Sequence, residues 1–291
     1  MFTEIFSILA PVFVCVAIGY GWSKSGRPFD TPMVTAIVTY FSTPCLVFYA
    51  LANVELDMST LSDMGLAAVL ANVAFVIISS IILAVLKLPQ RAFLQVLSWP
   101  NVGNIGLPLC LLAFGNEGLA LAITFFTIYV VLQMTVGVAF ISGTFSVQSF
   151  LKMPIIPATL LASMFLFTDL EVPGWVFNTT KLIGDMTIPL MLFTLGVSLA
   201  SLQVGSLKTA IGLSVVRLAM GFAVGVGLVE IMGLTGAPAG VVILQCALPS
   251  AVFCYLFAQL HDQRPQEVAG VVIASTFMGF AVLPALLWYV L

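Results

Sequence analysis

The stretch SWPNVGNIGLPLC, residues 98–110, places two prolines, two asparagines and two glycines inside an otherwise apolar run. Proline removes a helix hydrogen bond and clashes with the preceding turn, and glycine lowers helix stability further. Within a bilayer, the backbone groups freed in this way are tolerated only where they are buried in protein or face a wet cavity. The stretch therefore predicts a helix that is interrupted midway through a membrane.

The composition of the chain is that of a polytopic membrane protein. Its 291 residues are 61% hydrophobic and 7% charged, whereas an ordinary soluble domain is about 25% charged. No hydrophilic stretch is long enough to form a separate domain, so we expect one all-α membrane domain over residues 1–291. Hydropathy predicts ten spanning segments, at residues 5–22, 32–52, 64–86, 92–114, 118–140, 150–167, 173–202, 207–232, 237–260 and 268–291.

The basic residues lie on one side of these segments. Seven of the nine lysines and arginines follow odd-numbered segments: Lys24, Arg27, Lys87, Arg91, Lys152, Lys208 and Arg264. The loops that follow even-numbered segments hold no base and carry six acids: Glu55, Asp57, Asp63, Glu117, Asp169 and Glu171. The positive-inside rule then predicts a multi-pass protein of the cell (inner) membrane with both termini on the extracytoplasmic side.

The two halves of the chain share landmarks at a nearly constant offset. Three proline pairs lie 146, 145 and 141 residues apart: Pro11 with Pro157, Pro44 with Pro189, and Pro108 with Pro249. This pattern predicts two repeats of five helices, residues 1–145 and 146–291. Because five is odd, the second repeat enters the membrane from the opposite face, as in the inverted repeats of secondary transporters.

The repeat gives the first break a counterpart in the ninth segment, QCALPSA, residues 245–251. Two interrupted helices at matching positions indicate a transport site, where half-helix N-termini offer N–H groups to an anion. The alternative is a pair of structural kinks. The candidate substrate-binding residues at the two breaks are Asn101, Gly103, Asn104, Pro108, Gln245, Pro249 and Ser250.

These stretches, in this order, resemble the auxin efflux carrier family, bacterial branch, of the bile/arsenite/riboflavin transporter superfamily. The motifs that carry the resemblance are PNVGNIGLPL, QCALPSAVFCYLFAQ, TPCLVFYAL, IGDMTIPLMLFTLG and VIASTFMGFAVLPALLWYVL. The resemblance implies ten helices in two inverted repeats, with helices 4 and 9 crossing at their breaks. This fold is shared with bile-acid sodium symporters and sodium–proton antiporters.

The resemblance also implies a function and an assembly. It implies transport of organic anions such as malonate, malate, lactate or auxin, with Asn101 contacting the substrate carboxylate. It further implies a crossover domain of helices 3–5 and 8–10 that rocks against a scaffold of helices 1, 2, 6 and 7, and a homodimer. The short connection between the halves, SGTFSVQS, replaces the long hydrophilic loop of the plant carriers.

Two ionisable residues lie at predicted membrane depth, where charges are costly and by default functional. Asp185 precedes Pro189 in the seventh segment, and Arg217 lies in the eighth. Because the two segments are consecutive and antiparallel, an Asp185–Arg217 ion pair is expected. Either it is a neutralised structural pair, or Asp185 exchanges a proton and Arg217 is a counter-charge to the substrate.

The sequence thus predicts a secondary active or potential-driven transporter of small organic anions that works by alternating access. A sodium-coupled symporter of the bile-acid type is one alternative, and a channel or membrane enzyme is another. No enzymatic motif, metal-ligand cluster or nucleic-acid-binding pattern is present in the sequence. We therefore expect no cofactor beyond sodium or a proton as the coupling ion, and the substrate, the bilayer and a second copy as partners.

Overall fold

The computed structural model describes residues 2–52, 57–143, 154–167, 172–202 and 205–291, and it is helical throughout apart from turns and one isolated pair of bridging residues. The helices are α1 (Phe2–Lys24), α2 (Thr31–Ala52), α3 (Met58–Val85), α4 (Gln90–Ser98), α5 (Leu107–Leu132), α6 (Val138–Ser142), α7 (Ile155–Phe167), α8 (Gly174–Gly184), α9 (Thr187–Ser201), α10 (Leu207–Met232), α11 (Gly236–Ala247), α12 (Phe253–Leu260) and α13 (Pro265–Val290). Three π-helical turns interrupt or join these helices: Val38–Ser42 within α2, Val102–Gly106 before α5, and Gln133–Gly137 before α6.

Seven helical stretches in the described part of the chain are long and apolar enough to cross a membrane. They are Thr3–Lys24, Thr31–Ala52, Ser59–Val85, Val102–Ser142, Gly174–Ser201, Leu207–Met232 and Pro265–Val290. The protein is therefore an all-α, multi-pass membrane protein. The count of ten segments stays a prediction, because α7, α11 and α12 are shorter than a spanning helix.

Both predicted helix breaks are confirmed, but the first is shorter than the sequence suggested. Only residues 99–101 leave the helical conformation, because Val102–Gly106 forms a π-helical turn that leads directly into α5. Pro108 lies directly after this π-helical turn, in a helix that is continuous through Gly106 and Leu107. In the ninth segment, residues 248–252 separate α11 from α12.

The helices pack in two groups. In one, α1 packs along α9, and α2 packs against α7 and α8. In the other, α3 packs against α4 and α5, while α10 packs against α11 and α13. The π-helical turn Val102–Gly106 contacts α9 and so joins the second group to the first.

Glycines allow the close approach of α1 and α9. A Cβ atom on Gly19 would overlap the backbone carbonyl of Phe193, and one on Gly196 would overlap the carbonyl of Val16. The two helix backbones are therefore in direct contact, as small residues permit in membrane helix pairs.

Some sequence predictions lie outside the described residues. They are the start of the sixth segment at Phe150, most of the connection SGTFSVQS, the base Lys152, and the acids Glu55, Asp169 and Glu171.

We predict that Gly19→Ala lowers the melting temperature of the detergent-solubilised protein, because its methyl group would push α1 from α9 at a cost of about 1–3 kcal/mol. Gly21→Ala is the matched control, since nothing lies within 4 Å of a Cβ atom at Gly21 in the same helix. Thermal unfolding followed by tryptophan fluorescence measures both. Equal melting temperatures for the two variants would contradict the direct contact.

Candidate functional site

The two helix breaks are hydrogen-bonded to each other. The backbone N–H of Asn101 donates to the Pro249 carbonyl at 2.7 Å, and the N–H of Ala251 donates to the Trp99 carbonyl at 3.0 Å. Together these bonds form an antiparallel bridge between Pro100 and Ser250. We call residues 99–101 and 249–251 the crossover. It satisfies in protein the backbone groups that interrupted helices would otherwise expose to lipid.

Ser250 fastens the crossover to its surroundings. Its hydroxyl donates to the Val96 carbonyl of α4 at 2.6 Å, and its backbone N–H donates to the Ser275 Oγ of α13 at 3.2 Å. Pro249 lies beside it with its ring on Gly279, where an added Cβ atom would come within 3.2 Å of the ring. The hydroxyl proton of Ser250 is thus used within the protein.

Arg217 of α10 is the only charged side chain that is buried among the described residues. Its Nη1 donates to the Leu97 carbonyl at 2.9 Å, its Nε to the Leu248 carbonyl at 3.3 Å, and its Nη2 to the Cys246 carbonyl. The guanidinium also lies over the Phe75 ring, 4.4 Å from the centroid. One arginine therefore binds the C-terminal ends of both α4 and α11, where the helix dipole is negative.

The expected ion pair between Asp185 and Arg217 does not form. The Asp185 carboxylate pairs instead with Lys181 Nζ at 2.7 Å, and both side chains are about half exposed. Asp185 follows α8 at the join with α9, whereas Arg217 is held at the crossover by carbonyl oxygens. The predicted ion pair is wrong because backbone carbonyls, which carry no sequence signature, accept the hydrogen bonds of the arginine in place of a carboxylate.

Asn101 caps the helix that follows the first break. Its Oδ1 accepts the backbone N–H of Asn104 at 3.3 Å, as an N-cap side chain does. Its Nδ2 has no hydrogen-bond partner in the described protein, although the residue is only 4% exposed. Asn104 is half-buried one turn further on. Asn101 thus keeps a donor available at the N-terminal end of the π-helical turn.

Gln245 and Gly103 border the same π-helical turn. The Gln245 side chain is fully buried and lies against Gly106 in the space that a Cβ atom would fill. Neither its oxygen nor its nitrogen has a hydrogen-bond partner among the described residues. A Cβ atom on Gly103 would lie 2.9 Å from Phe126 Cε2 and 3.3 Å from Met191 Cε of α9. The turn is therefore enclosed by a free amide, an aromatic ring and a thioether.

Gln95, the counterpart of Gln245, was not among the predicted site residues. It is 2% exposed, and neither polar atom of its side chain has a hydrogen-bond partner in the described part of the chain. Its amide lies against Gly137 of the π-helical turn Gln133–Gly137, as Gln245 lies against Gly106. The sequence does contain a signal for Gln95, because a Leu-Gln pair precedes each break at the same distance. The two glutamines, at positions 95 and 245, are 150 residues apart.

The electrostatics of the crossover are unbalanced. Arg217 neutralises the two helix C-termini, but no acidic side chain among the described residues is buried. The N-terminal ends of the helices that leave the two breaks are therefore not matched by a carboxylate. Each such end carries about half an elementary positive charge, so the two together favour an anion.

A broken helix pair tied together at its centre, inside a multi-pass bundle, defines a membrane transporter. Comparison with known proteins agrees, because residues 4–146 and 139–289 match the family described as membrane transport protein. The chain belongs to this family, which is the family of the auxin efflux carriers. The resemblance read from the sequence motifs is thereby confirmed.

Two archaeal relatives match along nearly their whole length. The chain is 24% identical to an uncharacterized transporter of Methanocaldococcus jannaschii over 298 residues, which cover 95% of each chain. It is 25% identical to an uncharacterized transporter of Methanothermobacter thermautotrophicus over 295 residues, which cover 96% of this chain and 95% of the relative.

We predict that Arg217→Met destabilises the protein by several kcal/mol, because each carbonyl it uncovers in the interior costs about 1–3 kcal/mol. Arg217→Lys keeps the charge but has fewer donors, so its effect should be intermediate. Thermal unfolding in detergent measures both. The control is Arg264→Met, because the Arg264 side chain is 53% exposed and pairs with Glu267 at 3.4 Å. A loss no larger than that of the control would show that Arg217 does not hold the helix ends.

Proposed function

We propose that this protein is a secondary transporter of small organic anions that works by alternating access, with the carboxylate held at the helix N-termini of the crossover. The proposal rests on one observation: at the two breaks, the negative C-terminal helix ends have a counter-charge and the positive N-terminal ends have none. Arg217 covers the negative C-termini. The N-terminus after the first break is capped by the neutral amide of Asn101, and the N-terminus of α12 has no side-chain cap. A carboxylate would supply the missing negative charge.

The amides supply the remaining contacts. Asn101 Nδ2 and the Gln245 amide are buried, unpartnered and adjacent to the π-helical turn, and a buried polar group without a partner costs about 1–3 kcal/mol. A bound carboxylate would relieve that cost. Gly103, Asn104, Pro108 and Pro249 shape the surrounding backbone, and Ser250 holds it in place.

The fold that we propose for this mechanism has ten membrane crossings in two inverted repeats. The stretch Val102–Ser142 has 41 residues, so as a straight helix it would measure about 60 Å, twice the ~30 Å of a hydrocarbon core. Gly115 interrupts it with φ 65° and ψ −153°, which supports two crossings. The bridged residues lie 250 − 100 = 150 positions apart, which supports a repeat of about that length.

The packing groups support a division into two moving parts. The scaffold would comprise α1, α2, α7, α8 and α9, and the crossover domain the remaining helices. The contact of Gly103 with Met191 lies between these parts, where alternating access would open and close the site. An inner-membrane location with both termini outside, and a homodimer, complete the proposal.

We predict that Asn101→Asp raises the half-saturation concentration for a carboxylate substrate by about a hundredfold or more, because two charges about 4 Å apart repel by roughly 4 kcal/mol at an effective dielectric constant of 20. Aspartate is as good an N-cap as asparagine, so the fold should persist. Asn101→Ala should have a smaller effect, about tenfold, from the loss of one hydrogen bond to a charged group.

The measurement is uptake of malonate, malate, lactate and indole-3-acetate by proteoliposomes containing each variant. Asn178→Ala is the matched control, because Asn178 is exposed on α8. Unchanged half-saturation in Asn101→Asp would place the anion elsewhere, and tighter binding would indicate a cationic substrate.

We also predict that the transport is electrogenic and independent of sodium, because no buried acid at the crossover is available to bind a metal cation. Substrate-evoked current in proteoliposomes should saturate with substrate and keep its size when potassium replaces sodium. Current that requires sodium would favour the bile-acid type of symporter, and current that does not saturate would favour a channel. A pH gradient imposed across the same liposomes then tests whether a proton accompanies the anion and whether Asp185 carries it.

A further inference from the structure

An apolar groove leads from the outer surface of the bundle to the crossover. It lies between α10 and α13, has a volume of about 320 Å³, and has a mainly apolar lining that includes Phe222, Pro249, Gly279, Ala285, Trp288 and Tyr289. Its floor includes the ring of Pro249, a residue of the crossover whose carbonyl accepts the Asn101 N–H. The groove shares Pro249 with the carboxylate site described above, but its lining does not include Asn101, Asn104 or Gln245.

The groove opens toward the bilayer. Phe222, Val282 and Trp288 on its rim are among the exposed large apolar residues of the chain, and both helices that form its walls are apolar enough to cross a membrane. The molecules that meet this rim in the membrane are lipid acyl chains. The apolar lining therefore selects a hydrocarbon chain and disfavours a charged solute.

The length of the groove matches one leaflet. Along the continuous helix α13, Gly279 at the floor is ten residues from Tyr289 at the far end, which corresponds to about 15 Å. This distance is half of the ~30 Å hydrocarbon thickness of a bilayer. Trp288 and Tyr289 lie at the end where a membrane–water interface is expected, and aromatic residues of this kind favour that depth.

We propose that a phospholipid acyl chain occupies the α10–α13 groove, with its terminal carbons against the ring of Pro249. The chain enters from the leaflet that surrounds Trp288 and Tyr289. Pro249 is held between this chain and Gly279, so the lipid forms part of the packing of the second helix break. The presence of the lipid site is independent of the proposed anion transport.

The test uses liposomes of phosphatidylcholine and phosphatidylglycerol that contain a little phosphatidylcholine with a diazirine on its acyl chain. The diazirine is placed near the terminal methyl group in one sample and near the headgroup in another. After photolysis, peptides are mapped by mass spectrometry. The internal reference is the exposed face of α3 at Ile77 and Ile81, which contacts bulk lipid.

The terminal diazirine should label residues near Gly279, and the headgroup-proximal diazirine should label residues near Tyr289. Because a chain in the groove packs against protein on several sides, labelling there should exceed that of the reference face. Ala285→Phe fills the groove from its exposed side and should reduce groove labelling to the reference level.

The matched control is Ala281→Phe, which changes an exposed alanine on the same helix that does not line the groove. It should leave the labelling unchanged. Equal labelling of the groove and the reference face, or equal labelling in the two variants, would overturn the proposal. Groove labelling in a protein that moves no carboxylate would refute the proposed function and leave the lipid site intact. Carboxylate uptake without groove labelling would refute the lipid site and leave the proposed function intact.

Discussion

The pair of backbone hydrogen bonds between residues 99–101 and 249–251 is the interaction on which the rest of the structure depends. Each break contains a proline, Pro100 or Pro249, and a proline has no N–H to leave unpaired. The N–H groups of Asn101 and Ala251 then donate to carbonyls of the opposite break. Each break alone would leave unpaired backbone groups in lipid, and the two breaks together pair those groups with hydrogen bonds. The helices that carry the breaks must therefore meet at this point.

The position of α10 follows from that meeting. The crossover leaves the carbonyl groups at the ends of α4 and α11 without helical partners, and Arg217 supplies the donors. Gly221 and Gly225 bring α10 close enough, since a Cβ atom on either would press on the backbone of α11 at Cys246 or Ile243. A buried cation is stable only when paired. Here the partners are helix dipoles and the Phe75 ring, so no carboxylate has to be buried.

The sequence predicts the helical membrane architecture and both breaks, because Pro and Gly act locally on the backbone. It does not predict where the unwinding stops, since a π-helical turn and an α-helix accept the same residues. The hydrogen-bond partners of Arg217 could not be predicted from the sequence, for a different reason. Leu97 and Arg217 are 120 residues apart, and a carbonyl acceptor can belong to any residue. Gln95 was not predicted because a single glutamine in an apolar helix is informative only when it is compared with its counterpart in the other repeat.

The polar residues of the crossover divide by whether the protein already satisfies them. Ser250 and Arg217 use their donors on backbone carbonyls, so they hold the breaks together in the absence of any ligand. Asn101, Gln245 and Gln95 are as deeply buried but retain free donors or acceptors. A protein that needed these amides only for stability would gain by replacing them with apolar residues of similar volume. Their presence beside glycine-lined π-helical turns supports the proposal that a polar solute completes the site during each transport cycle.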